Sequence, residues 1–223
     1  MPRIIDAVVT DGDNTLWKGR VGTAIGREYL AMAMREKNVP AFVNGALNAV
    51  HVLLMAKFLG PEGVSKGQKR FYDTLIANGI GRKEEMHTFA GRHIRDNIIE
   101  KVESIVRYYT MADMPVFLST MAGSTAAEYA AGSFRLSGSV SNIERFDNDG
   151  RLVEFSIAMS NGEEKLAGTE KALDKYNILL SECMVIGDSI ADIPMLMSAK
   201  IAIASPLASE EVLALKRISR ITS

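Results

Sequence analysis

The chain has 223 residues, 47% hydrophobic and 24% charged, with a formal net charge of −1 at pH 7. This balance is typical of a globular protein large enough for a full core, and the near-neutral charge indicates no nucleic acid or membrane as a partner. The single cysteine, Cys183, excludes an internal disulfide and favours a reducing compartment. The N-terminus carries an acidic residue and does not resemble a signal peptide, so we expect a cytoplasmic protein.

The first apolar run, 4–9, predicts a short strand that is buried on both faces. The segment 11–15, Asp-Gly-Asp-Asn-Thr, follows, and its residues are poor strand formers, so the strand ends here. In open parallel sheets the reactive groups lie just beyond the carboxyl ends of strands. Asp11 and Asp13 are therefore either part of an acidic turn or an aspartate nucleophile with an acid/base partner.

Residues 20–110 are almost entirely helical in pattern. Good helix formers fill 26–37, and 41–59 is apolar on most sides. A polar stripe at helical spacing interrupts this second helix, where it forms either a solvated face or the roof of a substrate cavity. The stripe consists of Asn44, Asn48 and His51.

Two further helices complete this helical region. One is capped by Ser65 and ends at 78–79, and the other covers 82–109 with a break expected near 95–97. The histidines show no metal-ligand spacing and are predicted to be ordinary helix residues. They are His51, His87 and His93.

From residue 114 onward, strands alternate with helices, and the chain predicts an α/β core with a parallel sheet. We assign 1–16 and 97–223 to this core and 17–96 to a helical lid inserted after the first strand. Buried strands are predicted at 115–118, 184–186 and 201–204, helices at 125–131, 165–176, 191–198 and 209–215, and a β-hairpin at 140–146 and 152–158.

Polar side chains end three of the predicted strands, and parallel neighbours would bring them to one edge of the sheet. Several carboxylates in a small volume need a cation, and oxygen ligands with room for water suit Mg²⁺. Lys165, at the start of a helix, could supply a fixed positive charge. The strand-end residues are Asp11 and Asp13, Ser119 and Thr120, and Asp188.

An aspartate nucleophile, Mg²⁺, a lysine and a hydroxyl together are the groups of a phosphoryl-transfer site. The metal and Lys165 would spread the charge of the transferring group, and Ser119 would donate a hydrogen bond to one of its oxygens. Lys171 is an alternative to Lys165, and Thr120 is an alternative to Ser119. Either hydroxyl could instead cap a helix.

Taken in order, these motifs resemble those of the haloacid dehalogenase superfamily of aspartate-based phosphatases. The first motif, hydrophobic residues followed by Asp-x-Asp-x-Thr, is matched at 11–15, and the second, ending in Ser or Thr, at 116–119. The third is a lysine ahead of the fourth, and the fourth, Gly-Asp with a later Asp, is matched at 187–192. The resemblance implies a Rossmann-like core, an all-helical cap and a β-hairpin between the second and third motifs, as in the phosphoserine phosphatase branch.

By that resemblance, the chain is a Mg²⁺-dependent phosphatase of a small phosphorylated metabolite. Asp11 attacks phosphorus and forms an aspartyl phosphate, while Asp13 is first the general acid and then the base. Asp11, Asp188 and the backbone carbonyl of Asp13 bind Mg²⁺. Asp192 orients Lys165 or a metal-bound water.

The chain departs from the phosphoserine phosphatase branch in two places. Those enzymes carry a glutamate shortly after the first motif that binds the substrate's amino group, whereas this chain has Arg20 and no acid in 17–23. An arginine favours a carboxylate or a second phosphate, so we expect an acidic substrate, although Arg20 could also be a surface charge. The second departure is Thr120-Met121, where two glycines usually follow the second motif.

Other functions stay open. A phosphomutase of the same fold would use the same two aspartates. A catalytically inactive binding protein would have the fold but no enzymatic activity. A dehalogenase is disfavoured, because that chemistry dispenses with the acid that Asp13 supplies. We expect Trp17 to pack between core and insertion, with lining of the substrate pocket as the alternative.

Overall fold

The strands of the described residues form one seven-stranded sheet with the order β4-β3-β2-β1-β5-β6-β7. The computed structural model describes residues 4–35, 37 and 63–221. In chain order the strands are β1 (Ala7–Thr10), β2 (Val116–Gly123), β3 (Gly138–Phe146), β4 (Leu152–Ser156), β5 (Cys183–Gly187), β6 (Ile201–Ala204) and β7 (Ile218–Arg220).

Every neighbouring pair of strands is parallel except β3 and β4, which form an antiparallel hairpin. Strands β1 and β5 are buried along their whole length at the centre of the sheet, as their continuous apolar runs predict. The predicted fold class, a Rossmann-like α/β core with a hairpin, is confirmed. The short edge strand β7 was not predicted, because its three residues are partly or fully exposed.

The helices largely follow the predicted pattern, and the expected break near 95–97 is confirmed. Two details differ: the first helix begins at Val21 and not at residue 26, and Ser65 lies inside a helix, where its Oγ donates to the Ser160 carbonyl oxygen. The helices are α1 (Val21–Arg35), α2 (63–77), α3 (Lys83–Asp96), α4 (Glu100–Met111), α5 (Ser124–Phe134), α6 (Gly162–Asp174), α7 (Ile193–Ser198) and α8 (Glu210–Leu213).

Helices cover both faces of the sheet. Successive residues of β1 point to opposite faces, so neighbouring residues of this strand pack against different helices. Val8 belongs to a buried cluster that includes Ile25 of α1 and Tyr72 of α2. Val9 belongs to a second cluster with Leu173 of α6. The described part of the helical insertion therefore shares a continuous core with one face of the sheet.

The two segments that join the insertion to the core run side by side. The Lys18 amide donates to the Asn97 carbonyl oxygen (2.7 Å), and the Ile99 amide donates to the Leu16 carbonyl oxygen (3.0 Å). Both segments lie next to the end of β1, so the start of the insertion is fixed close to Asp11 and Asp13. The domain boundaries at 16/17 and 96/97 stay a prediction.

One predicted region lies outside the described residues. It holds the helix at 41–59 and its stripe of Asn44, Asn48 and His51. Within the described ranges, every helix is too short or too polar to span a lipid bilayer.

Candidate active site

Three buried carboxylates meet at the carboxyl edge of the sheet. Asp11 follows β1 directly, Asp188 follows β5, and Asp192 lies in the 3₁₀ turn after Asp188. One oxygen of each lies within 4.8 Å of the other two. The parallel pairing of β1 with β5 brings these residues together across the sequence, as predicted.

Lys165 lies among these carboxylates, and its side chain is only 2% exposed. Its Nζ is 2.5 Å from Oδ1 of Asp11 and 2.6 Å from Oδ1 of Asp192. Asn161 caps α6, because its side chain accepts a hydrogen bond from the Glu164 amide, and this starts the helix just ahead of Lys165. Lys171 is on the same helix but exposed, so the structure brings Lys165, and not Lys171, to the carboxylates.

Two effects set the pKa values in this cluster: burial, which disfavours the charged forms, and the attraction between the carboxylates and the Lys165 ammonium. Burial raises the pKa of Asp11 despite the charge of Lys165, and burial with the nearby Asp192 raises the pKa of Asp188 to about 7. Burial alone would lower the pKa of Lys165, but Asp11 and Asp192 together raise it. Burial is also outweighed at Asp192, whose pKa is lowered by Lys165. Lys165 thus pairs with both Asp11 and Asp192, and three carboxylates share one ammonium.

Asp192 has donors on both of its carboxylate oxygens. Oδ1 takes Lys165, while Oδ2 accepts from the amides of Asp188 (3.1 Å) and Ser189 (3.0 Å) and from the Ser189 hydroxyl. A Cβ at Gly187 would lie 2.6 Å from the Asp192 Cβ, so only glycine permits this approach. These contacts hold Asp192 beside Lys165, and its predicted orienting role stays a prediction.

Thr15, the last residue of the first motif, joins the cluster through its hydroxyl. Its Oγ1 donates to Oδ1 of Asp188 at 3.1 Å, and its side chain is fully buried. The hydroxyl fixes the rotamer of Asp188 from across the sheet. The motif pattern pointed to a threonine here, but this partner was not predicted.

Asp13 lies beside the cluster and is bound by the first residues of the insertion. Its Oδ1 accepts from Nε1 of Trp17 (2.7 Å) and from the amide of Val21 (3.0 Å). Burial raises the pKa of Asp13 in spite of these two donors. A raised pKa helps a carboxyl group to keep its proton near neutral pH, as a general acid requires.

The two candidate hydroxyls of the second motif face opposite sides of the sheet. Ser119 Oγ is 2.7 Å from Thr169 Oγ1, which itself donates to the Lys165 carbonyl oxygen. Thr120 Oγ1 accepts from the Ala122 amide, and a Cβ at Gly12 would lie 3.0 Å from it. The structure thus brings Thr120 against the loop of Asp11 and Asp13 and directs Ser119 towards α6.

The loop after the second motif is irregular where this chain has Thr120-Met121 in place of the two glycines usual in the phosphoserine phosphatase branch. Ser119 pairs with Val140 and Gly123 pairs with Asn142, so four steps along β2 match two along β3. Asn142 supports the resulting bulge: its Nδ2 donates to the Met121 carbonyl oxygen at 2.7 Å. Its Oδ1 accepts the amides of residues 158 and 159, so one buried side chain joins this loop to the approach to α6.

Two basic side chains stand near Asp13. Arg20 is exposed at the N-terminus of α1, and its charge and that of His93 oppose the rise that burial causes in the pKa of Asp13. His93 was predicted to be an ordinary helix residue, yet its ring packs against Gly19, where a Cβ would lie 3.6 Å from Cε1. His93 lies beside the segment that joins β1 to the insertion. This position depends on how α3 packs against that segment, which no local sequence pattern predicts.

Asn97 is the hydrogen-bond partner of His93. Its Nδ2 lies 3.3 Å from Nδ1 of the ring and donates to the His93 carbonyl oxygen at 2.9 Å. Among the described residues, the buried Nε2 of the ring has no hydrogen-bond partner.

Comparisons with known proteins agree with this fold. The model of the haloacid dehalogenase-like hydrolase family matches residues 135–219, a range that includes Lys165, Asp188 and Asp192 but not Asp11. No curated protein matches the sequence.

Several solved structures share the fold. A HAD family hydrolase from Salmonella enterica subsp. enterica serovar Typhi has a TM-score of 0.70 at 16% identity, over 96% of this chain and 66% of that one. A phospho-aspartyl intermediate analogue of phosphoserine phosphatase has a TM-score of 0.67 at 17% identity, over 97% and 92%. A phosphoserine phosphohydrolase-like protein from Francisella tularensis subsp. tularensis SCHU S4 has a TM-score of 0.64 at 15% identity, over 96% and 95%.

At these identities the structural similarity shows the fold, and the family model adds a sequence match over the second half of the core. The four motifs predicted the same relationship independently of both. The resemblance of this chain to the haloacid dehalogenase superfamily, and to the fold of its phosphoserine phosphatases, is confirmed.

Proposed function

We propose that the protein is a Mg²⁺-dependent phosphatase that hydrolyses a small acidic phosphomonoester through an aspartyl-phosphate intermediate. One observation carries this proposal: the Lys165 ammonium is shared by Asp11 and Asp192, with Asp188 close enough to complete a cation site. This arrangement combines a nucleophilic carboxylate, a fixed positive charge and a second carboxylate for a metal.

The donor set fits a divalent cation. Three carboxylates face one ammonium among the described residues, and burial together with the neighbouring carboxylates raises the pKa values of Asp11 and Asp188. Oxygen ligands of this kind suit Mg²⁺, and Asp11, Asp188 and the Asp13 carbonyl would hold it. When bound, the ion neutralises these carboxylates and polarises the phosphoryl oxygens.

The chain's own residues supply the two steps of hydrolysis. A carboxylate oxygen of Asp11 attacks phosphorus while Asp13 gives its proton to the leaving alcohol oxygen, which produces an aspartyl phosphate and an ionised Asp13. Asp13 then takes a proton from the water that attacks the aspartyl phosphate, which releases phosphate and restores both carboxyl groups. Lys165 stabilises the negative charge next to Asp11 throughout.

Arg20 supports an acidic substrate. It is exposed at the N-terminus of α1 and close enough to Asp13 for its charge to oppose the rise that burial causes in the pKa of Asp13. Both its guanidinium and the helix N-terminus favour a negatively charged group on the leaving portion of the substrate. The phosphoserine ammonium would be repelled there.

The proposal is tested by measuring phosphate release from p-nitrophenyl phosphate, phosphoserine and phosphoglycolate, with and without Mg²⁺. We expect Mg²⁺-dependent release, with phosphoglycolate preferred over phosphoserine. The absence of release from every phosphomonoester of a broad panel would contradict the proposal and favour an idle binding protein of the same fold.

The role of Arg20 is tested separately with Arg20→Ala and the neighbouring exposed Lys18→Ala as the matched control. Arg20→Ala should raise the KM of a carboxylate-bearing substrate about tenfold and leave that of p-nitrophenyl phosphate unchanged, since a charge-assisted hydrogen bond contributes about 1.5–3 kcal/mol. Lys18→Ala should change neither. Equal effects of both variants would show that only the general positive charge of the linker matters.

A further inference from the structure

Trp17 makes two different contacts with the loop at 11–15, one with Asp13 and one with Gly12. Its indole Nε1 donates to Oδ1 of Asp13 at 2.7 Å, and the ring edge lies over Gly12. A Cβ at Gly12 would come within 2.6 Å of the ring atoms Cη2 and Cζ2, so the glycine leaves the space that the indole fills. Trp17 is fully buried and therefore holds a single position.

The two oxygens of the Asp13 carboxyl group differ in their hydrogen bonds. Oδ1 receives both the indole of Trp17 and the amide of Val21, while Oδ2 has no hydrogen bond from the part of the chain that the structure describes. A carboxyl group with two donors on one oxygen cannot rotate without losing both. The free oxygen is thereby kept in one orientation, which suits a group that must deliver a proton to one atom of the substrate.

We propose that Trp17 is a positioning residue for proton transfer, whose indole N–H holds Oδ1 of Asp13 so that Oδ2 faces the leaving oxygen. This inference rests on the proposed function, because it assigns a role relative to the general acid. Packing on Gly12 requires only an aromatic ring, whereas the hydrogen bond requires the indole nitrogen, so the two contributions can be separated.

The variant Trp17→Phe keeps an aromatic ring beside Gly12 and removes the donor. The measurement is kcat/KM for an alkyl phosphate and for p-nitrophenyl phosphate, because kcat/KM reports the step that expels the alcohol. An alkoxide is a poor leaving group that needs the proton, whereas nitrophenolate leaves without it. We expect kcat/KM for the alkyl phosphate to fall about tenfold or more, as part of the contribution of a general acid. The value for p-nitrophenyl phosphate should stay within about threefold.

Two controls make the result specific. Asp13→Asn should produce the same leaving-group dependence with a larger loss, and if it does not, the proposed acid and not the role of Trp17 has failed. Phe155→Leu removes a buried aromatic ring on β4 and should leave the ratio of the two kcat/KM values unchanged. Equal losses on both substrates in Trp17→Phe, or no loss on either, would overturn the positioning role.

A second measurement does not depend on activity or on the folding of a tryptophan variant. Trp17 is the only tryptophan of the chain, so intrinsic emission above the tyrosine band reports on this side chain alone. Asp13→Ala removes the carboxylate next to Nε1 and should shift the emission spectrum of the folded protein. An emission spectrum identical to that of the native protein would show that the contact is absent and would overturn the proposal.

Discussion

Among the described residues, two regions of buried polar groups differ in electrostatic character. At the carboxyl edge of the sheet, Asp11, Asp188 and Asp192 outnumber the single ammonium of Lys165. Where the helical insertion meets the hairpin, Glu144 is also buried, but neutral donors surround it. The first region has an excess of negative charge and is suited to bind a cationic ligand. In the second region the hydrogen bonds are satisfied, and it is suited to stabilise the structure.

The surroundings of Glu144 show how a carboxylate is buried without a counter-ion. It accepts from the Thr125 amide at 2.6 Å, from the Thr125 and Tyr72 hydroxyls, and from the Ser124 hydroxyl at 3.4 Å. Ser124 and Thr125 begin α5, so the carboxylate of β3 also lies at the positive end of a helix dipole. Burial and the adjacent Glu144 raise the pKa of Tyr72, which keeps its hydroxyl protonated as a donor.

We call the carboxylate cluster of Asp11, Asp188 and Asp192 the sheet edge, and the surroundings of Glu144 the hairpin contact. The difference between them predicts that substitutions at the sheet edge reduce catalysis, whereas substitutions at the hairpin contact reduce stability. Asp11→Asn should lower turnover by about 10⁴-fold or more, because it removes the nucleophile. The free energy of unfolding should change by no more than about 1 kcal/mol, since the variant relieves repulsion among buried carboxylates. Steady-state kinetics and denaturant unfolding measure the two effects.

The exposed Asp174→Asn, on the distal turn of α6, is the matched control and should change neither quantity. If Asp11→Asn keeps measurable turnover of the native order, the assignment of the nucleophile is wrong. If it unfolds the protein, the edge of the sheet is a structural region like the hairpin contact, and the comparison fails.

Lys165 is an exception in this comparison, because the proposed mechanism and the buried ion pairs both depend on it. Lys165→Met keeps the length of the side chain but leaves three buried carboxylates without a counter-ion, which should destabilise the fold by about 3–5 kcal/mol. Turnover should fall by about 10²–10³-fold as well. Lys171→Met, on the exposed face of the same helix, should preserve both, and the reverse pattern would show that Lys171 is the functional lysine.

The sequence predicted the sheet edge well because its signals are local. Apolar runs before Asp11 and Asp188 mark buried strands, and the parallel arrangement of such strands places their ends together. Lys165 followed from its interval to the last motif. Asp192 followed from the spacing of the fourth motif, and the structure brings it to Lys165; its bonds to the turn after β5 were not predicted.

The hairpin contact could not be predicted, because it depends on residues far apart in the chain. Tyr72 belongs to the apolar face of a helix, and the pattern gives no sign that its hydroxyl meets a carboxylate 72 positions later. His93 illustrates the same limit near the site, since its contact with Gly19 is set by how α3 docks. Helical periodicity predicts which face is buried but not which residue it meets.

Addition of Mg²⁺ should stabilise the sheet edge and leave the hairpin contact unaffected. A cation that binds only the folded protein raises the free energy of unfolding by about 2.7 kcal/mol at one hundred times its dissociation constant. The increase should be visible as a higher melting temperature in the native protein and lost in Asp188→Asn. Tyr72→Phe should keep the full increase, because its contact is separate from the carboxylate cluster.

The pH dependence of this effect follows from Asp188, whose pKa is raised from 3.8 to about 7 by burial and by Asp192. Between these values the folded protein binds more protons than the unfolded chain, so without metal its stability falls as the pH rises from about 4 to 7. Mg²⁺ binds the ionised carboxylate, so the stabilisation it gives should grow over the same interval. A stabilisation that is independent of pH would exclude Asp188 as a ligand.

The smallest expected effect is at the hairpin contact. Tyr72→Phe removes one donor from Glu144 but keeps the ring stacked on Phe155, at a centroid distance of 3.9 Å. Three donors to Glu144 stay in place, so the loss of unfolding free energy should be about 1–3 kcal/mol, with kcat/KM unchanged. Tyr176→Phe is the matched control: its hydroxyl donates to the Ser137 carbonyl oxygen at an exposed position, where the loss should stay within about 0.5 kcal/mol. If Tyr72→Phe instead lowers kcat/KM on every substrate while stability is kept, the contact between insertion and hairpin acts on the chemistry, and the division between the two regions is wrong.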